Sequence, residues 1–192
     1  MVIVVMGVSG SGKTVVGEEL ARRLGWVFED ADNWHPTANV AKMQSGVALT
    51  DEDREPWIRS LNRAIRNWIA DKHHVVLACS ALRAWHRNAF REGVPNRNAI
   101  RFVYLRGTYE EIDRRLRLRV GHFMPESLLQ SQFAALEEPD SFEALAVDVS
   151  QPVAIIVDSI VTGLRLGSSC APGQSFVFRW QRLMNWCSRK SE

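Results

Sequence analysis

Lys13 and Thr14 close a run, Gly7-Val8-Ser9-Gly10-Ser11-Gly12-Lys13-Thr14, whose residue types and spacing suit the handling of phosphate. Glycine at these positions lets the backbone curl until several N–H groups converge on one point. An anion sits well there, at the positive end of a following helix. In the pattern G-x-x-x-x-G-K-[ST] the lysine reaches the outer phosphates and the hydroxyl, here Thr14, holds Mg²⁺. The run therefore assigns Gly7, Ser9, Gly10, Ser11, Gly12, Lys13 and Thr14 to a nucleotide, with Lys13 also serving the reaction. A glycine-rich turn that binds nothing is the bland alternative. Five fixed or near-fixed positions, with an apolar run before and a helical pattern after, weigh against it.

Phosphate binding alone does not separate one reaction from another, so the remaining polar residues matter. Glu29-Asp30-Ala31-Asp32 ends a second apolar run. Alternation sets Asp30 and Asp32 on one side of that strand's carboxyl end. One carboxylate can help hold Mg²⁺ and the other can take the proton of an attacking hydroxyl; the residues alone leave open which does which. Phosphoryl transfer needs mainly positioning and charge neutralisation, so one oriented carboxylate suffices as base. A third run ends in Ala78-Cys79-Ser80-Ala81-Leu82-Arg83 and lacks the aspartate that many nucleotide hydrolases use for Mg²⁺. That argues against a motor ATPase or GTPase. Arg54, Arg83 and Arg87 are candidates for gripping an anionic acceptor, since a guanidinium fork fits a carboxylate. Taken singly, each is more often a surface arginine.

Arg115 and Arg119 lie four apart, ahead of Gly121-His122-Phe123-Met124-Pro125. A helix ending in glycine before a bend suits a mobile lid over the triphosphate. Arg119 then neutralises charge on the transferring group, Arg115 lies flat against adenine, and His122 meets the substrate from the lid edge. Arg114 and Arg117 read as a solvated face.

These groups need a scaffold, and the apolar pattern supplies one. Strands are expected at 2–6, 26–29, 75–79, 100–105 and 145–149, with helical patterns between them. Val16, Leu20 and Leu24 recur at four-residue spacing. Thr50 and Asp53 form an N-terminal cap for a helix that buries Trp57, Leu61, Ile65, Trp68 and Ile69. Thr108 and Glu111 cap the next, Pro125 and Glu126 open one carrying Leu128, Leu129, Phe133 and Leu136 inward, and Pro152 opens the last, through Ile155, Ile156, Ile160 and Val161. Alternation of this kind implies a parallel sheet with helices on both faces, an α/β fold of three layers. Ligands in such folds bind beyond the carboxyl ends of the strands.

The chain has 192 residues, 46% hydrophobic and 24% charged, ordinary for one globular domain. A formal net charge of +2 is too small to argue for nucleic acid. Three scattered cysteines make no metal pattern and no disulfide framework, which fits a reducing, cytoplasmic setting. Neither a signal peptide nor a membrane span is expected. Residues 1–164 read as one domain, and 165–192 as an extension of unknown role.

The motifs together resemble gluconokinases of the phosphate-loop, shikimate-kinase-like type. The resemblance is carried by M-G-V-S-G-S-G-K-T (6–14), D-x-D-x-x-H-P (30–36), N-x-x-K-M-x-S-G (39–46), L-T-D-E-D-R-x-P-W (49–57), C-S-A-L-R (79–83), R-x-x-x-R-x-G-H-F (115–123) and Q-F-x-x-L-E-E-P (132–139). They stand in family order over about residues 2–164. The resemblance implies ATP- and Mg²⁺-dependent phosphorylation of D-gluconate at its 6-hydroxyl, a five-stranded parallel sheet and a homodimer. By position it makes Lys13 the phosphate clamp, Thr14 a Mg²⁺ ligand with Asp30 beside it, Asp32 the base and Arg119 a lid arginine. It places His35, Arg54 and Arg83 in stretches that line the gluconate pocket, with His122 at the lid edge. Three departures stand out: Arg83 where lysine is frequent, His86 where another aromatic residue is common, and the tail from Arg165. Two other readings compete, a kinase for shikimate or a nucleoside monophosphate, and a nucleotide-binding module without catalysis.

Overall fold

A run of apolar residues that is buried on both faces makes a strand without alternation, and two such runs, 2–6 and 75–78, lie at the centre of a five-stranded sheet. The computed structural model describes residues 1–118 and 126–166. The strands are β1 (Val2–Met6), β2 (Val27–Asp30), β3 (Val75–Ala78), β4 (Ile100–Arg106) and β5 (Ala144–Asp148). They form one all-parallel sheet in the order β2-β3-β1-β4-β5. Val2 lies opposite Val75 on one side and Ile100 on the other, so the central strand is fully paired.

Among the described residues, seven helices connect and cover the strands: α1 (Lys13–Leu24), α2 (Thr37–Gln44), α3 (Asp51–Ala70), α4 (Ala84–Arg91), α5 (Tyr109–Leu118), α6 (Glu126–Ala135) and α7 (Val153–Gly163). Alternate strand residues feed two cores. Val2, Val4, Met6, Leu77 and Phe102 pack with Trp57, Leu61 and Ile65 of α3 and Phe90 of α4. Ile3, Val5, Val76 and Val103 pack on the other face with Val16 and Leu20 of α1, Ile112 of α5, Leu129 of α6 and Val157 of α7. The expected three-layer α/β/α arrangement is present, with the helix faces read from the sequence on α1 and α3 turned inward.

Differences are local. The second strand starts at Val27, not 26, because the Trp26 amide turns back to the Ala21 carbonyl at 2.9 Å to close the α1 C-terminus. On α7, Ile155 is 48% exposed and Val157 takes the inward place given to it. Thr50 caps α3 with the full reciprocal box through Asp53. Thr108 accepts from the Glu111 amide at 3.3 Å, but the Glu111 carboxylate faces Arg115 instead of completing that box. Helix α2 carried no pattern that marked it in the sequence. Past α7, Leu166 still packs against the second core. The lid residues Arg119 and His122, and the extension from 167 on, lie outside the described residues.

Candidate active site

The phosphate loop leaves β1 at Met6 and enters α1 at Lys13. Gly7, Gly10 and Gly12 all have positive φ, and the last two show why the loop needs glycine. Gly12 caps α1 with φ +92°, in the left-handed region. Gly10 has φ +83°, and a Cβ there would stand 2.8 Å from Leu116 Cγ, so the crest of the loop sits directly against α5. The Ser11 amide donates to the Val8 carbonyl at 3.2 Å, and Lys13 Nζ curls back to the same oxygen at 2.9 Å. The Ser9 amide donates to Gln132 Oε1 of α6 at 2.7 Å. Ser9 and Ser11, both expected at the nucleotide, thus have their amides on protein acceptors in this structure. The first-turn amides of α1, those of Lys13 and Thr14, lack intrahelical partners by the geometry of any helix start. The Ser11 hydroxyl is buried and unpartnered in the same cradle.

Burial lowers the pKa of Lys13, while the charges of Asp32, Cys79 and Asp30 pull it back up. The lysine thus lies within the field of both aspartates. Thr14 Oγ1 donates to Asp30 Oδ2 at 3.2 Å. Asp30 Oδ1 accepts the Asp32 amide at 3.0 Å, which caps a 3-10 turn over Ala31–Trp34. That turn, not strand alternation, places Asp32. A hydroxyl and a carboxylate in contact are hard oxygen donors of the kind Mg²⁺ takes beside phosphate oxygens. The donor set at Thr14 and Asp30 therefore fits Mg²⁺. Among the described residues no cluster of three or more His, Cys, Asp and Glu residues suits a metal held by protein alone.

The acceptor side is built on the α3 start. Trp57 Nε1 donates to the Ala31 carbonyl at 2.9 Å and fixes the 3-10 turn. His35 stacks on Trp57 with centroids 4.1 Å apart and an interplanar angle of 16°. Its Nε2 stands 4.0 Å from Asp32 Oδ1, and burial lowers its pKa. Asn39 Nδ2 donates to the Asp53 carbonyl at 2.8 Å, and Lys42 pairs with the Asp53 carboxylate at 2.6 Å, so α2 is bolted to the first turn of α3. There Asp51 receives Arg83 Nη1 at 2.9 Å and Arg54 Nη1 at 3.4 Å. The structure brings both expected arginines together around one carboxylate that the sequence reading passed over. Burial lowers the Arg54 pKa, with Asp51 opposing.

Arg87 is corrected. It does not face an acceptor. Its side chain is 2% exposed, pairs through Nε and Nη2 with Glu143 at 2.9 and 3.0 Å, and donates from Nη1 to the carbonyls of Ala81, Leu82 and Glu137. It holds the β3–α4 connection, where Ala81 has φ +43°. Arg115 is also engaged, by Glu111 Oε1 at 2.9 Å and by the Val149 carbonyl after β5, so its guanidinium is tied down beside that loop.

The arrangement joins a phosphate cradle, an oxygen pair for a divalent cation, an aspartate beside them and a two-arginine cluster, all beyond the carboxyl ends of the strands. Known proteins are similar to this chain over most of its length. An AAA domain family matches residues 2–139. The thermoresistant gluconokinase of Escherichia coli (strain K12) is 40% identical over 168 residues, 86% of this chain and 94% of that protein. The chain belongs to the gluconokinase family. A probable gluconokinase of Xenopus tropicalis is 44% identical over 83% of this chain and 91% of that protein. The crystal structure of a gluconokinase from Sinorhizobium meliloti 1021 superposes with a TM-score of 0.76 at 39% identity, covering 99% of this chain and 97% of that one. This gluconokinase-family chain thus shares its fold with that structure.

Residues that sequence reasoning missed have traceable signals. Asp51 sits inside the quoted L-T-D-E-D-R stretch, and Gln132 opens Q-F-x-x-L-E-E-P. In that stretch Glu137 Oε2 accepts the Ala84 amide at 2.7 Å at the α4 start, and Glu138 accepts the Tyr104 hydroxyl at 3.3 Å. The segment straps the phosphate loop, α4 and β4 together.

Proposed function

We propose that this chain transfers the terminal phosphoryl group of ATP to the 6-hydroxyl of D-gluconate, giving 6-phospho-D-gluconate and ADP. The carrying observation is the Arg54–Asp51–Arg83 cluster set beyond the same strand ends as the phosphate loop. Two guanidinium charges and one carboxylate leave a net single positive charge, matched to one sugar-acid carboxylate. Such a pocket favours gluconate over shikimate or a nucleoside monophosphate only as a whole constellation, so a substrate panel is the direct comparison.

In this reading the acceptor hydroxyl oxygen bonds to the γ-phosphorus as the bond from that phosphorus to the β–γ bridging oxygen breaks. The electron pair leaves with ADP, and the hydroxyl proton passes to the Asp32 carboxylate. Lys13 and the first-turn amides of α1 stabilise charge on the phosphate oxygens. Thr14 and Asp30 hold Mg²⁺, which supplies charge neutralisation across the phosphates when bound. His35 shapes the acceptor wall beside Asp32. Arg119 and His122 complete the site from the lid, and Arg115 packs by the nucleoside. The assembly is proposed as a homodimer in a cytoplasmic setting, supported by the family resemblance and by the free, buried Cys79 thiol; sedimentation tests the former. Among the described residues no helix is long and apolar enough to cross a membrane.

A coupled ADP-release assay with gluconate, ATP and Mg²⁺ tests the proposal. Turnover dependent on all three is expected. No release above background overturns it, and ATP binding with no turnover on any acceptor supports the non-catalytic module.

A further inference from the structure

Helix α4 begins one residue after Arg83, and its third residue, His86, is 3% exposed. A side chain at that position reaches back past the helix start, here toward the carboxyl ends of the strands. The ring does so: Nδ1 accepts the Arg83 amide at 3.5 Å, while the imidazole edge meets Trp85 with centroids 4.2 Å apart. With Nδ1 accepting, the neutral ring carries its proton on Nε2. That N–H is buried and has no partner, and the same is true of the adjoining Arg83 Nε. Two buried donors without acceptors at one place are costly to the folded chain and unusual in native proteins.

The charged groups that act on the ring are Arg54, Asp51, Arg83 and Arg87. None supplies an acceptor. Arg87 is held by Glu143, and the two oxygens of Asp51 already receive Arg54 and Arg83. Among the described residues no group fills that place, which leaves it to a ligand of the pocket, one compatible with two arginines. Burial and the neighbouring arginines push the His86 pKa down to about 4, so the ring adds direction without adding charge to the cluster.

With gluconate as the acceptor, a reading on which this inference rests, we propose that His86 is a specificity-determining residue whose Nε2–H donates to an oxygen at the carboxylate end of the sugar acid. Arg54 and Arg83 neutralise the carboxylate; His86 fixes its orientation and so the distance from that end to the hydroxyl that reacts.

Two near-isosteres separate the ring's two nitrogens. His86→Asn keeps an acceptor at the Nδ1 position and loses the outer donor. His86→Gln restores a donor near the Nε2 position. For His86→Asn we expect a melting temperature close to the parent's, a rise in KM for gluconate of about tenfold or more, and unchanged KM for ATP. For His86→Gln, KM for gluconate recovers to within about threefold of the parent's, the residual error of an amide standing in for a ring. An unchanged KM for gluconate in His86→Asn overturns the proposal. So do equal KM rises in both variants accompanied by equal losses of stability. In the unmodified protein, gluconate at saturation should shift the His86 Nε2–H resonance in ¹⁵N-labelled samples, and no shift overturns the proposal even where a variant fails to fold. Absence of any gluconate binding by calorimetry to the unmodified protein instead defeats the gluconate reading itself.

Discussion

Replacing Arg87 with methionine should unfold this protein more readily than any single loss of charge at the catalytic surface. The substitution keeps volume and removes five hydrogen bonds: two to Glu143 and one each to the carbonyls of Ala81, Leu82 and Glu137. Breaking a buried ion pair by deleting one partner costs about 3–5 kcal/mol. Glu143 is 20% exposed and keeps Arg91 at 3.4 Å, which pulls toward the lower bound. The Leu82 carbonyl still accepts the Glu137 amide at 2.9 Å, but the orphaned carbonyls of Ala81 and Glu137 pull the other way, since buried acceptors without donors cost about 1–3 kcal/mol each. About 4 kcal/mol is the balance, set against a total of about 5–15 kcal/mol for a domain. At about 2–4 °C per kcal/mol for this size, melting should fall by about 8–16 °C. Urea unfolding of Arg87→Met, Glu143→Gln and the double variant measures it, with a coupling energy of about 1.5 kcal/mol or more expected between the two sites. A loss under about 1 kcal/mol, or strict additivity, refutes the structural role. A raised KM for gluconate at unchanged stability restores the acceptor-gripping role that the sequence suggested.

Lys13→Ala should lower kcat/KM by about 10²–10³-fold or more while melting stays within a few degrees, because the deleted ammonium is one whose charge burial already disfavours; near-normal turnover removes the lysine from the mechanism. Acid should destabilise the protein through His86: its folded pKa of about 4 lies below the unfolded 6.5, so the unfolded chain takes the proton first and stability falls as pH drops through that window. His35 and His74 shift in the same direction, so the difference between parent and His86→Asn isolates the contribution, and identical acid profiles refute it. At the alkaline end Tyr104, buried beside Glu138, is pushed up to about 12. Its contribution is intact below pH 10 and lost between 10 and about 12, where the unfolded chain alone ionises; tyrosinate absorbance that tracks unfolding, and a Tyr104→Phe variant that lacks this loss, are expected.

What the sequence determined by itself was what local chemistry dictates. A glycine-rich turn between an apolar strand and a helix can be read from eight neighbouring residues, because its function lies in main-chain amides and positive φ angles. The same holds for the Thr50–Asp53 cap and for the inward stripe of α3, where propensity and period agree with the fold. Strands β1 and β3 were legible because burial on both faces leaves them uniformly apolar.

Tertiary structure decided which polar side chains meet. Arg54 and Arg83 are indistinguishable from Arg87 by type and spacing, yet two converge on Asp51 and the third is locked under Glu143, 56 residues away. Gln132 reaches the Ser9 amide across 123 residues. Asp32 owes its place to a 3-10 turn pinned by Trp57, not to strand alternation. A guanidinium or an amide side chain has no local preference that names its partner. Its role is fixed only when packing strips its water and leaves one acceptor within reach.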